Sequence, residues 1–339
     1  MSVKWFFCAF AFAWITASAA GSETIDPARI RTAVERSLKR IETGANNYAV
    51  NRTCFSCHHQ LSISVFAEAK NRGFAVNRDL FFLQVEFTRE TFRQKLGQVE
   101  RGQGVGGANT TVAYALHVLE AAEQAPDDVT SALVQFLVIK QAKDGSWPAV
   151  TDRPPSEGSA FTNAALALRA LKTYGASDAT LPADLKGKID ESWKRGRDWV
   201  LSHEPKTLED RVFHLEALVA ASADRQMIAK HRLALQELQI DDGSWRQLPS
   251  LNGDAYATAS AMRALVAAGL GTDSPVWQRG AEFLLRTQTE DGAWIVSTRS
   301  KPIQLFFDNG DPGGKSQFIS MMSTSWATLA LLQGLPKQP

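Results

Sequence analysis

This chain has few cysteines, no excess of either charge and, beyond its N-terminus, no long apolar run. Its 339 residues include 3 Cys, and 37 Lys and Arg against 36 Asp and Glu give a formal net charge of +1 at pH 7. Without a block of like charges, the chain lacks the electrostatic patch by which proteins bind nucleic acid or an anionic membrane surface. Without roughly 18 uninterrupted apolar residues, it also lacks a transmembrane segment. The sequence therefore predicts neither a nucleic-acid-binding nor a membrane-spanning protein.

Residues 1–20 have the pattern of a secretory signal peptide. Lys4 gives a positive start, residues 5–15 form an apolar stretch, and the Ala-Ser-Ala at 17–19 is a small-residue cleavage site. The apolar stretch is too short to cross a membrane by itself. The sequence therefore predicts an exported protein, periplasmic or extracellular, with one mature domain at 21–339.

A seven-residue motif occurs three times. It is QAKDGSW at 141–147, QIDDGSW at 239–245 and QTEDGAW at 288–294, and the first interval is twice the second. A fixed period of this kind indicates a repeat architecture. Each copy follows one apolar helical run and precedes another, so one unit is a helix, a turn and a second helix. Asp-Gly suits the turn, and the aromatic residues are expected in equivalent buried positions between units: Trp147, Trp245 and Trp294.

The motif Gln-x-x-Asp-Gly-x-Trp resembles the repeat of the squalene-hopene cyclase and protein prenyltransferase superfamily, and a looser form occurs in complement-type thioester domains. The resemblance implies an all-α fold, an α6/α6 toroid of six helical hairpins and twelve helices. The long segment between Trp294 and Ser323 is expected to form a loop cap over one mouth, anchored by Phe306, Phe307, Phe318 and Ile319. Matching helices along the chain gives six repeats: approximately 30–72, 79–122, 128–175, 188–222, 226–269 and 275–335.

In such a toroid the second helix of each pair lines the inside, and the N-terminal ends of these helices gather at one mouth. About half of the polar residues delivered there are expected to be helix caps. Asp210, Arg211, Asp254 and Tyr256 are the candidate catalytic residues. The others expected at the mouth are His58, His59, Gln60, Asn109, Thr110, Thr162, Asn163, His214, Thr258, Ser323 and Thr324.

The first unit carries TCFSCHHQ in place of the repeated turn. Cys54-x-x-Cys57-His58 is the signature of c-type haem attachment, in which two thiols bond to the haem vinyl groups and the imidazole binds the iron. Export supplies the compartment that this chemistry requires. His58 is then the metal ligand, and Met321 or Met322, expected just before the last inner helix, is the candidate sixth ligand. An open sixth site lined by Tyr256 or Arg211 would instead indicate oxygen or peroxide chemistry.

Three alternatives remain open for this segment. The two cysteines form a disulfide or a redox dithiol. They bind zinc together with His58 or His59 and an acid such as Asp210 or Asp254. Prenyltransferases do hold a zinc through Asp, Cys and His, but on later repeats, and no Asp-x-Cys occurs in this chain. Lastly, Cys57 and Gln60 have the spacing of the outer residues in the thioester motif Cys-Gly-Glu-Gln, although the middle pair differs.

The acid chemistry of the terpene cyclases is missing. Squalene-type cyclases protonate their substrate through an Asp-x-Asp-Asp cluster, and no such cluster occurs here; Asp241-Asp242 belongs to a repeat turn and Asp127-Asp128 to an inter-unit loop. Two main hypotheses follow: an exported haem protein acting with a redox partner protein, and a scaffold that binds a peptide, a glycan, an isoprenoid or another small molecule. An isoprenoid cyclase or transferase, or a thioester domain, is the remaining alternative.

Overall fold

The computed structural model describes residues 24–175, 181–301 and 305–338, so the signal-peptide prediction lies outside the described residues. Fourteen α-helices occur in these three ranges, and no helix among them combines the length and apolarity needed to cross a bilayer. In chain order they are α1 (Pro27–Asn51), α2 (Cys57–Gln60), α3 (Ser62–Asn71), α4 (Arg78–Arg93), α5 (Leu96–Val99), α6 (Ala108–Ala121), α7 (Asp128–Lys140), α8 (Ala160–Ala170), α9 (Ala183–Ser202), α10 (Leu208–Ala220), α11 (Arg225–Gln236), α12 (Ala255–Ala267), α13 (Pro275–Thr287) and α14 (Gln317–Leu332).

The helices form two concentric rings, which confirms the α6/α6 toroid. The inner ring runs through α3, α6, α8, α10, α12 and α14, each packed on the next, and α14 packs back on α2 and α3. The outer partners of the six hairpins are α1, α4, α7, α9, α11 and α13, and α1 contacts α13. The ring therefore closes between the first and the last hairpin.

The distribution of apolar residues explains which helices lie inside. In α1 the buried positions recur every three or four residues, from Ile30 to Tyr48, so one face packs inward and the other meets solvent. In α14 every residue from 319 to 332 is buried. A helix buried on all sides belongs to the core, and α14 accordingly lies in the inner ring.

The repeated tryptophans occupy equivalent positions, as the sequence predicted. Trp147, Trp245 and Trp294 are 0%, 0% and 1% exposed. Each indole N–H donates to a carbonyl near the end of the preceding outer helix, at 2.9 Å to Leu137, 2.8 Å to Leu235 and 2.8 Å to Leu284. Every indole is thus satisfied within its own hairpin while its ring fills the space between neighbours.

The repeated glutamines brace each turn against the next outer helix. The Gln141 amide donates to its own turn at Gly145, 2.9 Å, and to Ser192 in α9, 2.8 Å. Gln239 repeats this with Gly243 and with Val276 in α13, both at 2.9 Å. Gln288 donates at 2.8 Å to Ala33 in α1, so the last copy of the motif closes the ring on the first helix. The contacts are structural, as expected.

The turn glycines are the tightest part of this brace. Gly243 has φ +89°, and a Cβ there would overlap the carbonyl oxygen of Arg279 in α13. We expect Gly243→Ala to lower the free energy of unfolding by on the order of 2–4 kcal/mol, because strain and overlap add. Chemical denaturation followed by circular dichroism measures this.

Gly187→Ala is the matched control, since an added Cβ in exposed α9 meets no atom within 4 Å. It is expected to raise stability by about 0.5–1 kcal/mol, the usual gain of Ala over Gly in a helix. Equal changes in the free energy of unfolding for the two substitutions would contradict a structural role for the turn glycine.

One helix boundary differs from the sequence prediction. The first inner helix, α3, is preceded by the short helix α2, and Leu61 separates the two. The last inner helix begins at Gln317, not at Ser323, after a 3₁₀ turn at Gly314–Ser316. Met321 and Met322 therefore lie inside α14, and their predicted place before it is wrong.

The loop before α14 reaches across the N-terminal ends of the inner helices, as predicted for a cap. In its described part, Ser300 donates to the Pro154 carbonyl at 3.0 Å and Arg299 donates to Gln247 at 3.0 Å. Phe306 is 56% exposed, so its predicted anchoring role is wrong. Ile319 is buried, but it lies in α14 and not in the loop.

Candidate functional site

The TCFSCHHQ segment is held by its own backbone and by the next hairpin. The Ser56 carbonyl accepts from the backbone N–H groups of His59 and Gln60 at 3.1 and 2.9 Å. The Gln60 side chain accepts from the Ser56 N–H at 2.7 Å and donates to Gln84 in α4 at 3.1 Å. Because the Gln60 amide is engaged there, it does not bond to Cys57, and the arrangement gives no support to a thioester.

His59 is a structural residue. Its Nε2 lies 2.9 Å from Asp311 Oδ2, and both side chains are fully buried. The ring stacks on Tyr48 of α1, with centroids 4.3 Å apart. Arg40 also pairs with Asp311, at 3.2 Å. His59 thus ties the first hairpin to the cap loop, which leaves His58 as the histidine that faces open space.

Cys57, His58 and Glu157 bring three metal-binding atoms together. Cys57 Sγ donates to Glu157 Oε1 at 3.3 Å, and His58 Nδ1 lies 3.7 Å from that sulfur and 3.9 Å from the same carboxylate oxygen. Glu157 comes from the loop between α7 and α8, where it pairs with Arg153. Sequence reasoning missed Glu157: the acid beside this segment is neither Asp210 nor Asp254.

Burial controls the protonation of this trio. It raises the pKa of the Cys57 thiol well above its ordinary value, and the adjacent Glu157 carboxylate raises it further. It lowers the pKa of His58 to about 3, with smaller contributions from His59 and Arg153. It also raises the pKa of Glu157, opposed by Arg153. At neutral pH His58 is therefore a neutral imidazole with a lone pair available to a metal.

Cys54 stands at the edge of the same space. It is exposed, and its sulfur lies 3.3 Å from the Tyr48 hydroxyl. Both cysteines are free. A cavity of about 250 Å³, which we call the thiol cavity, is bordered by Cys54, Cys57 and His58 together with aromatic residues: Tyr48, Phe55, Phe92 and Phe318.

A larger space, the cap cavity, adjoins the thiol cavity at His58. It measures about 580 Å³ and shares His58, Arg153, Glu157 and Phe318 with the thiol cavity. Apolar side chains of the cap loop and α14 line it, namely Leu305, Phe306 and Ile319, and three cations border it, Arg153, Lys301 and Lys315. Leu305 is 92% exposed at its rim. Apolar walls with basic groups suit a flat apolar ligand that carries carboxylates.

The four candidate catalytic residues do not join this cluster. Asp210 caps α10, accepting from the Thr207 N–H at 2.9 Å and from Ser159 at 2.7 Å. Asp254 caps α12, accepting from the Ala257 N–H at 2.9 Å. Burial lowers the pKa of His231 in α11, and the charge of half-buried Arg211 adds to this effect. Asp254 is thus the N-cap of α12, and Asp210 is the third helical residue of a capping box whose N-cap is Thr207.

Tyr256 leads instead to an acid that sequence reasoning missed. Its hydroxyl donates to Glu209 Oε1 at 3.0 Å, and Thr162 donates to the same oxygen at 3.3 Å. Burial raises the pKa of Glu209 to about 8 against these two hydrogen bonds. Glu209 borders a cavity of about 250 Å³ with Asp210, Tyr256 and Arg299. In the sequence it resembles an ordinary acidic residue in the first turn of a helix, so no local pattern marks it.

The two methionines are fully packed. Met321 is 2% and Met322 0% exposed. Met321 packs on α1 at Gly44, beside Asp311, and neither methionine borders the thiol cavity or the cap cavity in the described residues. A sixth-ligand role for either one stays a prediction, and this placement gives it no support.

Comparison with known proteins agrees with the fold. The model of the squalene-hopene cyclase C-terminal domain family matches residues 183–337. The type II terpene cyclase MstE from Scytonema is similar with a TM-score of 0.60 and 12% sequence identity, over 91% of this chain and 98% of that chain. A wild-type glycosidase is similar with a TM-score of 0.58 and 12% identity, over 92% of this chain and 100% of that chain.

At such identities the likeness concerns the fold and not the activity. MstE has also been solved with its substrate, geranylgeranyl dihydroxybenzoate, and the other neighbour is a glycosidase, so one architecture serves two unrelated chemistries. Two concentric helical rings, the repeated Gln-x-x-Asp-Gly-x-Trp brace and the match over residues 183–337 agree with one another. Together they show an α/α toroid similar in fold to the type II terpene cyclase and the glycosidase.

Proposed function

We propose that this toroid is an exported c-type haem protein with a redox role, and that Cys54, Cys57 and His58 hold the haem at the capped mouth. One observation carries the proposal: all three side chains of the attachment motif border one cavity, which adjoins a larger apolar one. The motif alone predicts attachment, but attachment also needs the thiols and the imidazole to face one space.

The chemistry of the surroundings supports this ligand. A haem has a flat apolar ring and two propionates, which match the apolar wall and the three cations of the cap cavity: Arg153, Lys301 and Lys315. The low pKa of His58 keeps its imidazole neutral, the form that binds iron. In attachment each thiol adds across one vinyl double bond, with sulfur on one carbon and the thiol hydrogen on the other, so no atom leaves.

The bound group would supply one-electron chemistry. The protein's own contribution is to orient His58, through the short helix α2, and to shield it with Phe318, whose ring centroid lies 6.1 Å from that of His58. A redox partner protein would approach where the two cavities are exposed, at Cys54 or at Leu305. Export, as the N-terminal pattern predicts, supplies the compartment for attachment.

A second function is favoured by a different observation. The three distances among Cys57 Sγ, His58 Nδ1 and Glu157 Oε1 are 3.3, 3.7 and 3.9 Å. Tetrahedral zinc with bonds of about 2.0–2.3 Å separates its ligand atoms by roughly 3.3–3.6 Å. Three protein ligands would leave the fourth position open toward the cavity, the arrangement of catalytic zinc sites. This candidate is a zinc-dependent hydrolase, with Arg153 orienting Glu157.

One experiment separates the two. The full-length protein, with its native N-terminus, is produced in a bacterial host competent for cytochrome c maturation, then purified without chelators. We expect a red protein with a Soret band and close to one haem per chain, retained on a denaturing gel because thioether bonds survive unfolding. Colourless protein containing one zinc per chain would replace the haem proposal by the hydrolase. Colourless, metal-free protein with a Cys54–Cys57 disulfide would overturn both and favour a binding scaffold.

A further inference from the structure

A separate cavity of about 460 Å³ lies at the opposite end of the inner ring, which we call the distal cavity. The C-terminal halves of five inner helices enclose it: α6 through His117, α8 through Arg169, α10 through Glu216, α12 through Arg263 and α14 through Trp326. None of these residues borders the thiol cavity or the cap cavity. Whatever occupies the distal cavity is therefore independent of the proposed haem.

Buried polar atoms without hydrogen-bond partners surround this cavity. Within the described residues, both ring nitrogens of His117 and the indole N–H of Trp326 lack a partner, although the two side chains are 7% and 1% exposed. The Gln333 amide oxygen lacks one as well. Arg263 Nη1 and Glu216 Oε1 lie 3.4 Å apart as an ion pair, and neither of these two atoms makes a hydrogen bond.

Such atoms are costly. Each unsatisfied buried group costs about 1–3 kcal/mol, and native proteins keep few of them. Five side chains with this defect border one cavity, on four different inner helices and just beyond the end of α14. This concentration indicates a place built to receive hydrogen bonds from a ligand.

The charges around the distal cavity favour a neutral ligand. Helix C-termini carry negative partial charge, which disfavours an anion. Three cations, Arg169, Lys172 and Arg263, face only two anions, Glu120 and Glu216, which disfavours a cation. Both glutamates are paired, Glu120 with Arg169 at 2.6 Å and Glu216 with Arg263 at 3.4 Å.

The atoms that make no hydrogen bond are balanced between donors and acceptors. Trp326 Nε1 and Arg263 Nη1 can only donate, whereas the oxygens of Glu216 and Gln333 accept. Burial lowers the pKa of His117 well below its ordinary value, so its ring is neutral and offers one nitrogen of each kind. Hydroxyl groups match this set, because each one both donates and accepts. The Arg263 guanidinium lies 3.8 Å from the Trp326 ring and covers one face of the indole. A ligand would therefore contact the edge of the indole, where its N–H lies.

We propose that the distal cavity binds a neutral polyhydroxylated molecule, a monosaccharide or cyclic polyol. Its volume of about 460 Å³ falls within the roughly 300–1,000 Å³ usual for ligand sites.

Binding is tested with galactose and myo-inositol as neutral probes, and with galacturonate and galactosamine as charged probes of the same ring. The readouts are calorimetry and the indole N–H resonances of full-length protein labelled at tryptophan. We expect saturable binding of at least one neutral probe, a shift of the Trp326 resonance, and at least about tenfold weaker binding of both charged sugars. Better binding of a charged sugar, or no saturation by either neutral probe at high millimolar concentration, would leave only a water-filled cavity and overturn the proposal.

Two variants make the test specific. Trp326→Phe keeps an aromatic ring under Arg263 but removes the N–H, and it is expected to weaken binding about tenfold, the equivalent of one lost hydrogen bond of about 1.4 kcal/mol. Trp277→Phe removes another buried, unpartnered indole N–H that does not border the cavity, and it should leave affinity unchanged. If Trp326→Phe does not fold, Gln333→Ala at the rim replaces it. Equal affinities in all variants would contradict the assignment.

Discussion

The double substitution Cys54→Ser with Cys57→Ser is expected to reduce haem that survives denaturation from close to one per chain to none. Serine hydroxyls do not form the thioether links, whereas the size of the side chains and the walls of both cavities are preserved. Cys54→Ser alone is expected to keep haem through the remaining thioether, because Cys57 lies buried beside His58. Haem staining of denaturing gels, with mass spectrometry of the intact chain, measures both results.

Glu157→Gln separates this outcome from the zinc alternative. Haem attachment does not use the carboxylate, so this variant should stay red, while a zinc site would lose one of three ligands and most of its metal. His58→Ala is expected to change the iron spectrum or prevent attachment. Covalent haem in the double serine variant would refute the role of the motif. An equal zinc content in the wild type and in Glu157→Gln would refute a zinc site formed by Cys57, His58 and Glu157.

The second large effect concerns Glu209 and pH. Its pKa rises from 4.5 to about 8 on folding, because burial penalises the charged carboxylate. Between these values the folded state holds a proton that the unfolded state has released, so stability falls as pH rises, by about 1.4 kcal/mol per pH unit. Glu209→Gln removes this dependence and leaves an amide oxygen to accept from Tyr256. The variant is therefore expected to match the wild type near pH 5 and to exceed it by about 4–5 kcal/mol at pH 8 and above.

Denaturant unfolding of both proteins from pH 5 to pH 9 measures the difference directly. Glu282→Gln is the control, since Glu282 forms a half-exposed ion pair with Arg29. Surface pairs contribute about 1 kcal/mol or less, so its effect should be small and nearly constant over this range. A Glu209→Gln difference that does not grow with pH would show that Glu209 is ionised in the folded protein.

The repeat made the ring predictable. Three copies of one turn give three copies of one contact set, so the burial of Trp245 and the role of Gln239 follow from comparing the chain with itself. The contacts of the brace also join only neighbouring units: each turn hydrogen-bonds with its own hairpin and with the next outer helix. Periodicity captures that kind of contact well.

The site depends on contacts that have no period. Cys57 meets Glu157 from one hundred positions along the chain, and His59 meets Asp311 from still further away. Both acids lie in loops that occur once, where an acidic residue resembles any solvated one. The motif therefore identified Cys54, Cys57 and His58, but the sequence named the wrong acids as partners.

The start of α14 shows a different limit. No side chain caps its first turn, which continues from a 3₁₀ turn, so the usual polar marker of a helix start is missing. Tertiary packing decides this boundary: Gln317 is buried and bonded to the cap loop, donating to the Phe307 carbonyl at 2.6 Å. For this reason the sequence places Met321 and Met322 before the helix, whereas the structure places them inside it.

Because the ring closes between its first and last hairpins, the first hairpin completes its packing only after the last one has been synthesised. The hairpin that carries Cys54 and Cys57 is synthesised first, yet its partners Asp311 and α14 are synthesised last. Until they arrive, His59 lacks its buried partner Asp311, and Cys57 is not yet enclosed. Covalent modification of Cys57 therefore has a natural interval, which begins when the motif emerges and ends when the final helix docks.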